Sequence, residues 1–188
     1  MKKILLIIAL TLCIFQLIVM ATAINIGYEA TDRTSAHTTV ATWVVEENAA
    51  DGNGTITTVE IWADSEMSGV KVATFFKVDA THWTTRDYET VNNGNGAGVV
   101  LAGSKQTFTV SLDVQTGDYI GWYHSGGGIE RTVEDGYNFT KLEGDYIPCT
   151  NQVEATTYPN IAVSIGGTGA TGEEEEAEDN AIFFGMNF

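Results

Sequence analysis

The stretch Ala49-Ala-Asp-Gly-Asn-Gly-Thr-Ile-Thr-Thr-Val-Glu60 has the spacing of a cation-binding loop. Laid on the twelve-residue calcium loop of helix–loop–helix proteins, Asp51, Asn53, Gly54, Ile56 and Glu60 take positions 3, 5, 6, 8 and 12. Ala49 stands where the first carboxylate belongs, and the flanks alternate like strands. The stretch therefore reads first as a hairpin turn in which Asp-Gly-Asn-Gly reverses the chain. A looser calcium site on Asp51 and Asn53 is the metal alternative; no other cofactor is expected.

Aromatic side chains are the second source of chemistry, because an exposed ring stacks on the apolar face of a sugar. Of Trp43, Trp62, Trp83 and Trp122, Trp122 shares its parity with Ile120 and points inward, so Tyr119 and Tyr123 point outward. Trp83 shares parity with Thr85 and Asp87, a polar face. Trp83, Tyr119 and Tyr123 are thus the candidate ligand-binding residues. Catalytic patterns are thin. His37, His82 and His124 lack metal-ligand spacing, and there is no Gly-x-Ser-x-Gly. Acids are numerous enough for a glycosidase pair, but most sit in turns as solvated charge. Arg86-Asp87 reads as a cross-strand surface pair. Asn53-Gly-Thr55 and Asn138-Phe-Thr140 are glycosylation sequons.

The elements that must position these residues are strands. Phe108, Val110, Leu112 and Val114 alternate with Thr107, Thr109, Ser111 and Asp113. Val70 to Val78 repeats the pattern, as do Thr57-Val59-Ile61 and Ile161-Val163-Ile165. Val40–Val45, Thr81–Thr90 and Tyr119–His124 are rich in β-branched and aromatic residues. Turn clusters separate them: Asn92 to Gly96, Thr116-Gly-Asp118, Gly126-Gly-Gly128 and Asp135-Gly136. The expected fold is all-β: about eight strands in a single antiparallel, jelly-roll-like β-sandwich with one wet face on each sheet.

Thr55–Trp62, Val72–Phe75, Thr85–Tyr88, Ala102–Phe108 and Gly117-Asp-Tyr-Ile-Gly-Trp-Tyr123 carry a resemblance. The chain resembles a loose family of uncharacterised jelly-roll-like β-sandwich proteins from environmental, bacterial and phage-associated sequences. That resemblance implies an extracellular sandwich over residues 50–165 and assigns no catalytic residue.

Four regions follow along the chain. Residues 1–23 read as a signal peptide: Lys2 and Lys3, an apolar run from Ile4 to Ala21, then the small-residue site Ala21-Thr-Ala23. An uncleaved anchor is the alternative, since the run could span a bilayer. Residues 24–168 form the sandwich, 169–180 a Gly-rich and acidic linker, and 181–188 an apolar docking segment carrying Phe183, Phe184 and Phe188. Cleavage leaves Cys149 as the mature chain's lone cysteine, excluding an intrachain disulfide there. With 9 basic and 25 acidic residues, a charge of −16, the chain is no nucleic-acid binder and is repelled by anionic lipid.

The sequence thus points to a secreted, non-enzymatic β-sandwich, without a membrane span once mature, that binds a glycan or other cell-surface component. The alternatives are a structural subunit of an extracellular appendage or virion coat, self-associating through 181–188, and a polysaccharide-active hydrolase.

Overall fold

The computed structural model describes residues 21–154 and 156–172. The segment with Phe183, Phe184 and Phe188, and all but the end of the signal, lie outside the described residues. No helix occurs among the described residues, and every strand pairing is antiparallel. The all-β sandwich required by the alternation is the fold.

The strands in chain order are β1 (Ala23–Gly27), β2 (Ser35–His37), β3 (Thr42–Val45), β4 (Gly54–Ser68), β5 (Lys71–Lys77) and β6 (His82–Thr90). They continue with β7 (Lys105–Val114), β8 (Tyr119–Tyr123), β9 (Gly126–Leu142), β10 (Gln152–Val153), β11 (Thr156–Val163) and β12 (Ile165–Thr171). One continuous sheet runs β1-β12-β4-β9-β3-β8-β5-β6-β10, with β7 on β4 and β2 and β11 on β9. It folds over at β4. Gly54–Trp62 of β4 pairs with β12 and β7 in a small sheet; Ala63–Ser68 pairs with β9 in a large one. Between the two lies one core. Ile24, Ile26, Ile56, Val59, Phe108 and Leu112 come from the small sheet, and Trp43, Val45, Val72, Ile120, Trp122 and Phe139 from the large one.

Three features depart from the alternation. Ile161, Val163 and Ile165 are not one strand: the chain bends at Ser164, sending β11 to β9 and β12 to β4. Gly169, Ala170 and Thr171, read as linker, continue β12 against β1 or β4. The 17-residue β9 starts at Gly126-Gly-Gly128 and takes in Asp135-Gly136, with its pairing register shifted at both places. Gly127 and Gly136 take positive φ at these irregularities within the strand, where the composition reads as turns.

The large sheet's outer face is not wet at its centre. Val44, Ala73, Phe75, Trp83 and Leu142 form a second buried cluster capped by Ile147, with Tyr119, Tyr123, Tyr146 and Cys149 packed around it. The segment after β9 is fastened over this face. Thr42 Oγ1 donates to Gly144 O (2.9 Å), Tyr146 N–H donates to Thr42 Oγ1 (2.8 Å), and Lys71 Nζ donates to Asp145 Oδ2 (2.7 Å).

Candidate functional site

Among the described residues, nothing packs over the outer face of the small sheet. Register fixes its rows: Ala23–Ala170–Thr55–Asp113, then Asn25–Thr168–Thr58–Thr109, then Gly27–Gly166–Glu60–Thr107, and finally Trp62 beside Lys105. The opposite parity, Ile24, Ile26, Ile56, Val59, Phe108 and Leu112, is buried, which turns these rows to solvent. Thr57, grouped by alternation with Val59 and Ile61, is exposed as well, because β4 carries an extra residue there relative to β12.

The face is floored by small residues for a packing reason. A Cβ on Gly166 would lie 2.2 Å from the Tyr28 carbonyl, so only glycine lets the chain after β1 cross there. The crossing leaves a groove of about 260 Å³ between Asn25 and Thr168 on one side and Tyr28, Glu29 and Glu60 on the other. Lys105 Nζ is 2.9 Å from Glu60 Oε2. Short hydroxyl, amide and carboxylate groups on a flat, open face both donate and accept hydrogen bonds and lose little rotamer freedom on contact. Such a surface suits an extended hydroxylated chain better than an enclosed small molecule.

The residues singled out by sequence fall elsewhere. Trp83 is fully buried: its ring meets Tyr119 edge-on at 5.4 Å, Lys77 Nζ sits 4.7 Å from its centroid, and its Nε1 donates to Glu154 (3.2 Å). Trp83 is therefore not the exposed stacking platform that its parity with Thr85 and Asp87 suggests. Parity breaks at Arg86, an extra residue in β6: Thr74 faces Asp87 while Phe75 faces Thr85, so Trp83 and Asp87 lie on opposite faces. Tyr119 and Tyr123 do oppose the buried Ile120 and Trp122, but they are half-buried in the capped cluster, Tyr123 under Lys71.

Asp51 and Asn53 do not close a hairpin, because β3 and β4 are not paired; their loop crosses between sheets. Asp51 Oδ1 accepts from Asn25 N–H (2.9 Å), which holds its carboxyl below the usual range, and Asn53 Oδ1 accepts from Thr116 N–H (2.8 Å). Both oxygens serve as backbone caps. No cluster of three or more His, Cys, Asp or Glu able to hold a metal occurs among the described residues.

Arg86 does not pair with Asp87. Its guanidinium forks onto Asp118, with Nη2 donating to Oδ1 at 3.0 Å and Nε to Oδ2. Of the sequons, Asn138 is tied down, its side-chain amide donating to Glu47. The Cys149 thiol is half-buried beside Thr85, and burial pushes its pKa up.

Neither Trp62 as a ligand contact nor the Asn25–Thr109 row was singled out from the sequence. Trp62 was within reach of it, since its parity opposes the buried Val59 and Ile61. The row was not, because β1, β12, β4 and β7 come from distant parts of the chain. No protein-family model, no curated protein and no solved structure matches this chain.

Proposed function

We propose that the protein is an exported, non-enzymatic binding module that lays the outer face of its small sheet against a glycan. The observation that carries this reading is the register-aligned row Asn25–Thr168–Thr58–Thr109, with the groove beside it and Trp62 at the end of the face. Export rests on the Lys2-Lys3 start, the apolar run and Ala21-Thr-Ala23. Cleavage after Ala23 would begin the mature chain at Ile24, a core residue of β1.

The test is binding of the mature chain to immobilised polysaccharides, measured for wild type and for Trp62→Ala and Thr58→Arg. Loss of a stacking aromatic costs about 2 kcal/mol, roughly a thirtyfold weaker affinity. Thr58→Arg should block the flat face and abolish binding while leaving the melting temperature within a few degrees. Binding unaffected by both changes sinks the assignment of this face. Concentration-dependent assembly with no polysaccharide bound would favour the structural-subunit alternative.

A further inference from the structure

Two histidines, His37 and His124, lie near enough for the charge of one to bear on the other. His37, the last residue of β2, directs its ring inward, 4.2 Å and edge-on to Trp43 and 5.1 Å from Phe139, with Tyr158 of β11 at 6.4 Å. Its Nε2 is buried with no hydrogen-bond partner among the described residues. His124, just after β8, is fully buried beside the Thr38 carbonyl, and neither ring nitrogen makes a well-formed hydrogen bond. The charged groups that bear on His37 are cationic: Arg131 and Lys141 from β9, with His124 as the other titratable ring. Glu130 pairs with Ala36, one residue before His37, so alternation puts it on the opposite face.

The segment carrying His37 is lightly held. β2 pairs with β9 over three residues, and beyond that Ser35 Oγ donates to Arg131 O (3.2 Å), Arg131 Nε to Ala36 O (2.9 Å) and Trp43 Nε1 to Thr39 O (3.1 Å). A proton on His37 would place an unpaired cation beside Arg131 and Lys141, the latter paired with Glu143 Oε1 at 2.6 Å. His37 is partly exposed and its Nδ1 is open to water, but the buried Nε2–H of that cation can be solvated only if the segment moves.

We propose that Ser35–Thr39 is an acid-opened clasp: protonation of His37, reinforced by His124, releases it and uncovers Trp43, Phe139 and Tyr158. Burial and the neighbouring cations lower the His37 pKa to about 4, and burial lowers that of His124. A depressed histidine contributes its full share above its free value and loses it as pH falls towards the folded one. The window is therefore from about 6.5 down to about 4. Across it, the open-to-closed ratio rises about tenfold per pH unit for one proton.

The experiment is hydrogen exchange of the full chain from pH 7 to 4, corrected for intrinsic rates, on wild type and His37→Phe. Phenylalanine keeps the edge-on packing and cannot take the proton. Wild type should lose protection first at residues 35–39, while β4 and β7 stay protected, and His37→Phe should keep the clasp closed through this window. Equal opening in both proteins overturns the proposal. Should His37→Phe not fold, NMR titration of the wild-type imidazoles decides: a His37 midpoint well below 6.5 supports the clasp, and one at or above 6.5 overturns it.

Discussion

Asp118 shows how much one turn residue can organise. It is 2% exposed, yet its carboxylate accepts from the Arg86 guanidinium and from Gln115 N–H (2.8 Å), while its carbonyl accepts from Ala50 N–H (2.8 Å). One side chain thus ties β6 to the β7–β8 turn, and its backbone ties that turn to the loop before β4. Removing one partner of a buried pair costs more than the pair is worth, because the other charge remains. Asp118→Ala should lose about 3 kcal/mol in urea unfolding. Asp118→Asn, which keeps an acceptor for Gln115, should lose less. Equal losses would show that the Gln115 bond adds nothing.

Strand edges are closed by acids. Among the described residues β7 pairs only with β4, and its other edge lies beside β6. Asp87 Oδ2 accepts from Asp113 N–H (3.0 Å) and Glu89 Oε1 from Ser111 N–H (2.8 Å), so two β6 carboxylates take the place of a partner strand. Asp51 does the same for β1 at Asn25. Capped edges cannot template pairing with a second chain. The double variant Asp87→Ala/Glu89→Ala should associate with concentration in light scattering where wild type does not. A monodisperse variant would show that β7 is protected in another way.

At the same level, β8 depends on Gly121. A Cβ there would lie 2.4 Å from the Trp43 carbonyl and 2.6 Å from the Phe75 ring. Gly121→Ala should destabilise by about 1–3 kcal/mol through overpacking, seen as a lower urea midpoint at unchanged slope.

For the whole molecule, net charge matters most after the core. A formal −16 on 188 residues repels itself, and salt shortens that repulsion to a Debye length of about 10 Å at 0.1 M. The melting temperature should therefore rise between low and moderate sodium chloride. The ion pairs do not reverse this expectation, since Lys71–Asp145, Lys77–Glu46 and Lys105–Glu60 are all partly solvated and contribute little. A melting temperature independent of salt would mean that the carboxylates are already compensated, as they are at the capped edges.

Local chemistry was enough to establish an antiparallel sandwich. The alternation from Phe108 to Val114 is β7, every large residue of it buried, and the opposition of Trp122 to Tyr119 and Tyr123 survives in β8. Period two is a property of the backbone itself, so it can be read from residues two apart. Whether the second face of a strand is also covered cannot be read that way: the cover over Trp83 is a segment more than sixty residues away, between β9 and β10. Bulges are equally silent: the extra residues at Thr57 and Arg86 reverse parity without any mark in composition. The row Asn25–Thr168–Thr58–Thr109 joins residues from both ends and the middle of the chain. It exists only through the pairing of β1, β12, β4 and β7, and that pairing was decided by the tertiary fold.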